Sequence, residues 1–238
     1  MIKITVWNEN YASQETDAVR KAYPDGMNKQ IATFLKAENF TVRTAYLDQP
    51  DNGLPPEVLE NTDVLVWWGH CKHGSVSDEV ARKIADRVHR GMGAIFLHSA
   101  HFAKPFKALM GTSCTLQWRV ADEKEIVWVA APSHPISDGI DGHFVIEKEE
   151  MYGEPYDIPA PDEVVFIGWF KGGNVFRSGV TYRRGRGKVF YFQPGHETYP
   201  VYFNAGVQRA IANAVKWAAP DNVADTLTCP NAKPLEQI

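Results

Sequence analysis

The sequence predicts an α/β fold: a flavodoxin-like parallel sheet flanked by helices, with additional antiparallel strands in the middle region. Three features point there. Short apolar runs without polar alternation, such as Ala94 to Leu97 and Val64 to Trp68, are the pattern of strands buried on both faces of a parallel sheet. Segments with apolar residues at helical spacing separate those runs over about the first hundred residues, as βαβ units require. From Gln117 to Arg183 the helical pattern gives way to extended stretches parted by Pro-, Gly- and Asp-rich loops, the signature of antiparallel strands inserted into the sheet or added at its edge.

Taken in order, Lys3 to Trp7 reads as the first strand, with Asn8-Glu9-Asn10-Tyr11 at its carboxyl end, where a ligand would sit. Gly26 to Glu38 is predicted helical, presenting Met27, Ile31, Phe34 and Leu35 on one face. Phe40 to Tyr46 is the second strand, and Asp48 to Pro56, with three prolines and a glycine, is a loop. Asp63 to Trp68 is the third strand and ends in the polar cluster Gly69-His70-Cys71-Lys72-His73-Gly74. Ser77 is an N-cap, with Asp78 and Glu79 in the first turn of a helix that runs to about His89 and stops at Gly91 and Gly93. The fourth strand ends in His98-Ser99-Ala100-His101, and a short helix follows from about Phe102 to Met110. Gln117–Ala131, Phe144–Lys148, Val164–Phe170 and Arg177–Arg183 are the extended stretches. Lys188 to Phe192 returns to the buried-strand pattern and ends in Gln193-Pro194-Gly195-His196-Glu197. Phe203 to Ala218 is the last helix, so residues 1–218 are read as one domain and 219–238 as a C-terminal tail.

Composition narrows the function classes. With 238 residues, 44% of them hydrophobic, the chain can bury one large core. A net charge of −4 without a basic stripe argues against nucleic acid as a partner. No apolar run reaches the ~20 residues of a membrane span, and the N-terminus reads as a strand rather than a signal peptide; a soluble, cytoplasmic protein without a membrane partner is expected. Cys71, Cys114 and Cys229 are odd in number and widely spaced, forming neither a disulfide framework nor a zinc ribbon. The seven Trp and nine Tyr exceed what a small core needs; core packing is the default for each, and sugar faces are a common partner of rings that line a pocket. The sequence leaves room for a homo-oligomer.

Three buried-type strands end in histidine: His70, His98 and His196. Parallel strands gather their carboxyl ends on one edge, so the three imidazoles are expected in one pocket. Three imidazoles plus water is a usual open zinc site, which makes a divalent metal one candidate occupant; a polar pocket of hydrogen-bonded histidines is the other. His101 or Glu150 is an alternative third ligand. Glu150 and Tyr152 are candidates for handling protons and hydroxyls, with His98 and His196 as the catalytic histidines. His70, His101, Ser99 and Glu197 are the candidate substrate-binding residues. Glu147 and Glu149 read better as a solvated acidic turn, and His89 as a favourable charge at a helix end. Ser99 lacks the flanking glycines of a nucleophile elbow and is expected not to act as one. No G-x-G-x-x-G or P-loop is present, so no nucleotide cofactor is expected.

Leu97-His98-Ser99-Ala100, Glu149-Glu150-Met151-Tyr152, and Gly187-Lys188-Val189-Phe190-Tyr191 followed by Gly195-His196-Glu197 resemble, in that order, the "LHSA", "DExY" and "GRVFY…GHD" segments of the ThuA-like family, the trehalose-utilisation proteins of the class I glutamine-amidotransferase-like superfamily. The resemblance spans residues 1 to 218. It implies a flavodoxin-like fold and a role in carbohydrate metabolism, with a keto-sugar or disaccharide as the small-molecule partner. It also exposes a departure: His98 stands where the superfamily's amidotransferases keep their nucleophilic cysteine, so thioester chemistry on glutamine is not available there. Three readings follow: an enzyme acting on a sugar or keto-sugar, a hydrolase or amidase working with Cys71, and a sugar-binding or regulatory module without turnover.

Overall fold

The computed structural model describes residues 1–9, 16–226, 228 and 231–237; Asn10, Tyr11 and Cys229 lie outside the described residues. The strands are β1 (Lys3–Asn8), β2 (Thr41–Tyr46), β3 (Val64–Trp68), β4 (Gly93–Leu97), β5 (Gln117–Val129), β6 (His143–Gly153), β7 (Glu163–Phe170), β8 (Val175–Arg184) and β9 (Gly187–Phe192). The helices are α1 (Asp17–Ala22), α2 (Met27–Ala37), α3 (Pro56–Glu60), α4 (Asp78–Arg90), α5 (Lys104–Met110) and α6 (Ala205–Ala218). All nine strands join one mixed sheet in the order β2-β1-β3-β4-β9-β8-β7-β5-β6. The five strands from β2 to β9 are parallel, in flavodoxin-type order, and the four beyond them are antiparallel. The sheet is therefore flavodoxin-like in one half and a meander-like extension in the other.

The apolar runs lack alternation because both faces of the parallel half are covered. Leu65, Trp67 and Phe96 pack with Ile84 and Val88 of α4 and Phe106 of α5. Val64, Val66, Trp68 and Ile95 pack on the opposite side with Ile31 and Leu35 of α2 and Ile211 and Val215 of α6. Each such side chain, fully buried, contributes about 1.5–3 kcal/mol. The caps set the helix boundaries. Ser77 Oγ accepts from Val80 N at 3.1 Å and starts α4, which ends at Gly91 with φ +136°. Asn204 Oδ1 accepts from Gly206 N at 2.9 Å and Val207 N at 3.3 Å, so α6 begins at Ala205, two residues later than the periodicity predicts. The short helices α1 and α3 carry no clear periodicity in the sequence; α3 begins at Pro56, which occupies a first helical position at the end of the proline-rich loop.

The antiparallel half has one open face. Trp128 pairs with Ile167 and Trp169 with Val175, and all four are more than a third exposed. After α6 the described tail residues form neither helix nor strand, and Ala224 N donates to Arg90 O at 2.8 Å. No helix among the described residues is long and apolar enough to cross a membrane.

Candidate functional site

Strands β3, β4 and β9 are neighbours, with Trp68 beside Leu97 and Leu97 beside Phe192 in register. Their carboxyl ends therefore share one edge, and His70, His98 and His196 meet there as expected. The His98 and His196 rings are 5.5 Å apart between centroids, and those of His196 and His70 are 5.9 Å apart.

His98 is the hub. The chain turns sharply after β4 by placing His98 in the left-handed region, φ +53°, without a glycine; a non-glycine residue there costs about 1–3 kcal/mol. Its side chain is fully buried. Nδ1 lies 2.8 Å from Gln193 O, and since a carbonyl only accepts, Nδ1 carries a proton. Nε2 lies 3.0 Å from Glu150 Oε2, in ion-pair contact but without an aligned hydrogen bond to that oxygen. Tyr152 stacks on the ring at 4.9 Å, and Tyr191 Oη donates to His98 O at 2.9 Å. Burial opposes a charge on His98, but Glu150 beside it and Glu149 nearby outweigh that and hold its pKa up at about 9. His98 is thus a buried imidazolium. Burial acts to raise the Glu150 carboxyl, and the His98 cation overrides it, keeping Glu150 below the usual range.

The groups nearer solvent differ. Thr198 N donates to His196 Nδ1 at 3.3 Å, so the ring's neutral form keeps its proton on Nε2. Burial, then the charge on His98, pushes His196 down to about 4. His70 Nδ1 stands 3.4 Å from Glu197 Oε1, and its side chain is 31% exposed against 8% for His196 and 6% for Glu150. A part-exposed histidine held at Nδ1 by a carboxylate is arranged as a general base.

Two buried carboxylates fix the loops that carry these groups. Glu9 accepts from His70 N at 2.7 Å, Cys71 N at 3.2 Å and Lys72 N at 2.9 Å. Glu149 accepts from Gly195 N at 2.8 Å, His196 N at 3.2 Å and Glu150 N at 2.8 Å. The expectation of a solvated acidic turn holds for Glu147, which is exposed, and fails for Glu149, which is wholly buried because β6 continues inward to Gly153. Burial raises Glu149 to about 7, against the opposing pull of His98.

The remaining sequence candidates form the floor. Ser99 Oγ and Tyr152 Oη share a hydrogen bond at 2.9 Å, and His101 Nδ1 donates to Cys114 O at 2.7 Å. Burial pushes His101 down to about 3, so it is neutral. All three are almost fully buried, as is His98, so they support the groups above them. Cys71 Sγ donates to Glu9 Oε1 at 3.3 Å.

Among the described residues no three histidine, cysteine or carboxylate groups stand where they could hold one metal ion. The zinc set His70, His98 and His196 finds no support here, and neither His101 nor Glu150 completes it. One reason lies at His98, whose Nδ1 faces the Gln193 carbonyl and whose Nε2 faces Glu150 and Tyr152 Oη, so both of its ring nitrogens are engaged. Sequence reasoning named Glu9 and Gln193 only as members of strand-end polar clusters, directly after β1 and β9, and gave neither of them, nor Thr198, a role.

Comparison with known proteins matches this arrangement at the level of fold. A ThuA-like protein from Bacteroides uniformis superimposes with a TM-score of 0.67 at 16% identity, over 93% of this chain and 92% of that one. A ThuA-like protein from Parabacteroides merdae gives 0.67 at 16%, over 95% and 92%. A cytoplasmic protein from Salmonella typhimurium gives 0.60 at 13%, over 92% and 100%. No functionally curated protein matches the chain. The model of the family described as "ThuA: Trehalose utilisation" matches residues 3–218, nearly the whole chain, and the protein belongs to that family.

Proposed function

We propose that the protein is an enzyme that moves a proton on a sugar or keto-sugar, at the carbon next to a carbonyl. The observation that carries this is three imidazoles in one pocket in unlike surroundings: His98 fully buried 3.0 Å from Glu150, His196 buried beside it, and His70 nearer solvent, 3.4 Å from Glu197. Titratable groups whose surroundings drive them apart are the mark of acid–base work. In this reading His70 Nε2 takes the proton from carbon. The C–H electron pair forms a carbon–carbon double bond, and the carbonyl oxygen gains negative charge. His196 Nε2–H donates to that oxygen as a neutral electrophile. Glu150, kept ionised by His98, accepts hydrogen bonds from sugar hydroxyls. Return of the proton to the opposite face of the same carbon completes an epimerisation; return to the former carbonyl carbon, while the adjacent hydroxyl gives its proton to the former carbonyl oxygen, completes an isomerisation, and neither needs a redox partner. The sugar class is supported by the family description, trehalose utilisation.

The test is incubation with reducing disaccharides and keto derivatives of trehalose in D₂O, followed by NMR, with trehalose itself, which has no carbonyl, as the negative control. Deuterium should enter at the carbon beside the carbonyl, and His70→Gln and Glu197→Gln should suppress it ~10²-fold or more, as loss of a general base does. Sugar binding without exchange or product would replace this reading with a binding module. Activity abolished by alkylating Cys71 would favour the hydrolase instead.

A further inference from the structure

Beneath the site lies a polar chain that the proposed chemistry does not use. Glu125 on β5, Ser178 on β8 and Gln193 after β9 are all completely buried. Ser178 Oγ lies 3.2 Å from Glu125 Oε1 and 3.2 Å from Gln193 Oε1. Gly168 opposite leaves the space: a Cβ there would collide with Glu125 Oε1, so the acid has a built cradle. Gln193 Nε2 donates to Glu150 O at 3.2 Å, which fixes the amide; turned over, its oxygen would face that carbonyl. The main-chain oxygen of the same Gln193 takes the Nδ1–H of His98.

One hydroxyl here stands between two acceptors, and it has one proton to give. If Ser178 donated to a Glu125 carboxylate, Gln193 Oε1 would be left unpaired. If it donated to Gln193, a bare carboxylate would be buried with no donor, at far greater cost than an unpaired neutral oxygen. A proton on Glu125 removes the conflict: Glu125 O–H donates to Ser178 Oγ, and Ser178 O–H donates to Gln193 Oε1. We infer that Glu125 is a neutral carboxylic acid and a positioning residue, whose proton, relayed through Ser178, sets Gln193 and through it the ring of His98 and the main chain at Glu150. Burial acts in the same direction, raising the Glu125 carboxyl well above its ordinary range, and the charge of Glu149 on β6 adds to it. A carboxylic acid kept neutral by an apolar site so that it can donate is a known device of enzyme pockets.

The inference rests on the proposed function only in taking this pocket as the working site, and its readouts need no substrate. Infrared difference spectra of the full chain against Glu125→Gln at pH 7 should show the C=O stretch of a protonated acid; the band of Glu149, whose carboxyl is raised to about 7, is common to both and cancels. Glu125→Gln still offers a neutral N–H donor, so the ¹⁵N resonances of the His98 ring should stay in place. Glu125→Ala should shift them and speed exchange of the Nδ1 proton. Should Glu125→Ala fail to fold, Ser178→Ala carries the test, because it keeps the acid, shifts its C=O band and displaces the His98 signals. Absence of the acid band at pH 7, or a shift of the His98 ring in Glu125→Gln as large as in Glu125→Ala or Ser178→Ala, would overturn the inference. Loss of sugar turnover as an activity, with these spectra as stated, would sink the proposed function and leave the relay standing.

Discussion

The two halves of the sheet furnish the site differently. The parallel half places its histidines on loops just past the ends of β3, β4 and β9, where the backbone is free to aim them. The antiparallel half places Glu125, Glu149, Glu150 and Tyr152 within β5 and β6, where the sheet dictates their direction. Only their combination explains the charge state of either. His98 is cationic because β6 brings Glu150 to 3.0 Å, and Glu150 stays ionised because β4 brings His98. A loop residue gains reach, whereas a strand residue gains rigidity; the pair uses one of each.

Separating the halves should cost most at their shared ion pair. Glu150→Gln leaves a buried cation without its counter-charge, and the expected loss is about 3–5 kcal/mol of stability at pH 7. Urea unfolding measures it, and a loss under about 1 kcal/mol would break the claim that the two halves fix each other's charge. The next effect is the pH profile of stability. The folded pKa of His98 is raised to about 9 from 6.5, so its contribution is complete below pH 6.5 and lost as pH climbs through 9. That loss is on the order of 3 kcal/mol at 1.36 kcal/mol per unit. Glu149, raised from 4.5 to about 7, contributes below pH 4.5 and loses it as pH rises through 7. His196 runs the other way: depressed to about 4, it contributes above pH 6.5 and loses that as pH falls through 4. Melting curves from pH 4 to 10 should show an alkaline decline above pH 6.5 that flattens in His98→Gln; an unchanged decline would assign it elsewhere. The smallest effect compares the two loop-stitching carboxylates. Glu9→Gln and Glu149→Gln should each cost about 1–3 kcal/mol by turning an NH₂ toward backbone donors. Hydrogen exchange should separate them, quickening at His70–Lys72 in the first and at Gly195–His196 in the second. Glu147→Gln, on the exposed side of the same strand, should stay within about 0.5 kcal/mol.

This contrast also accounts for what the sequence disclosed. The parallel strands, the adjacency of β3, β4 and β9, and the meeting of the three histidines follow from unbroken apolar runs ending in polar clusters. Those signals are local. The burial of Glu149 is not, because alternation along Glu147-Lys148-Glu149-Glu150 is interrupted by a register shift against β5 between Glu123 and Glu125. Four charged residues in a row look solvated until the partner strand decides which of them turn inward. The ring nitrogens were equally hidden: whether an imidazole serves as ligand, cation or donor depends on Gln193 O, Thr198 N and Glu197, and no spacing in the sequence reveals which nitrogen each one takes.

The pairing of β4 with β9 also governs how the chain reaches its native state. Everything from α5 to β8 intervenes between those two partners, so the central seam of the sheet is a contact of high sequence separation. Such contacts close late, after a large loss of chain entropy. A chain emerging from the ribosome and ending before Gly187 presents β4, apolar and continuous, as an unpaired edge, the template on which misassembly begins. Its last helix and β9 are therefore the elements that convert an aggregation-prone half-sheet into a folded protein, and truncation there should yield insoluble material rather than a smaller domain.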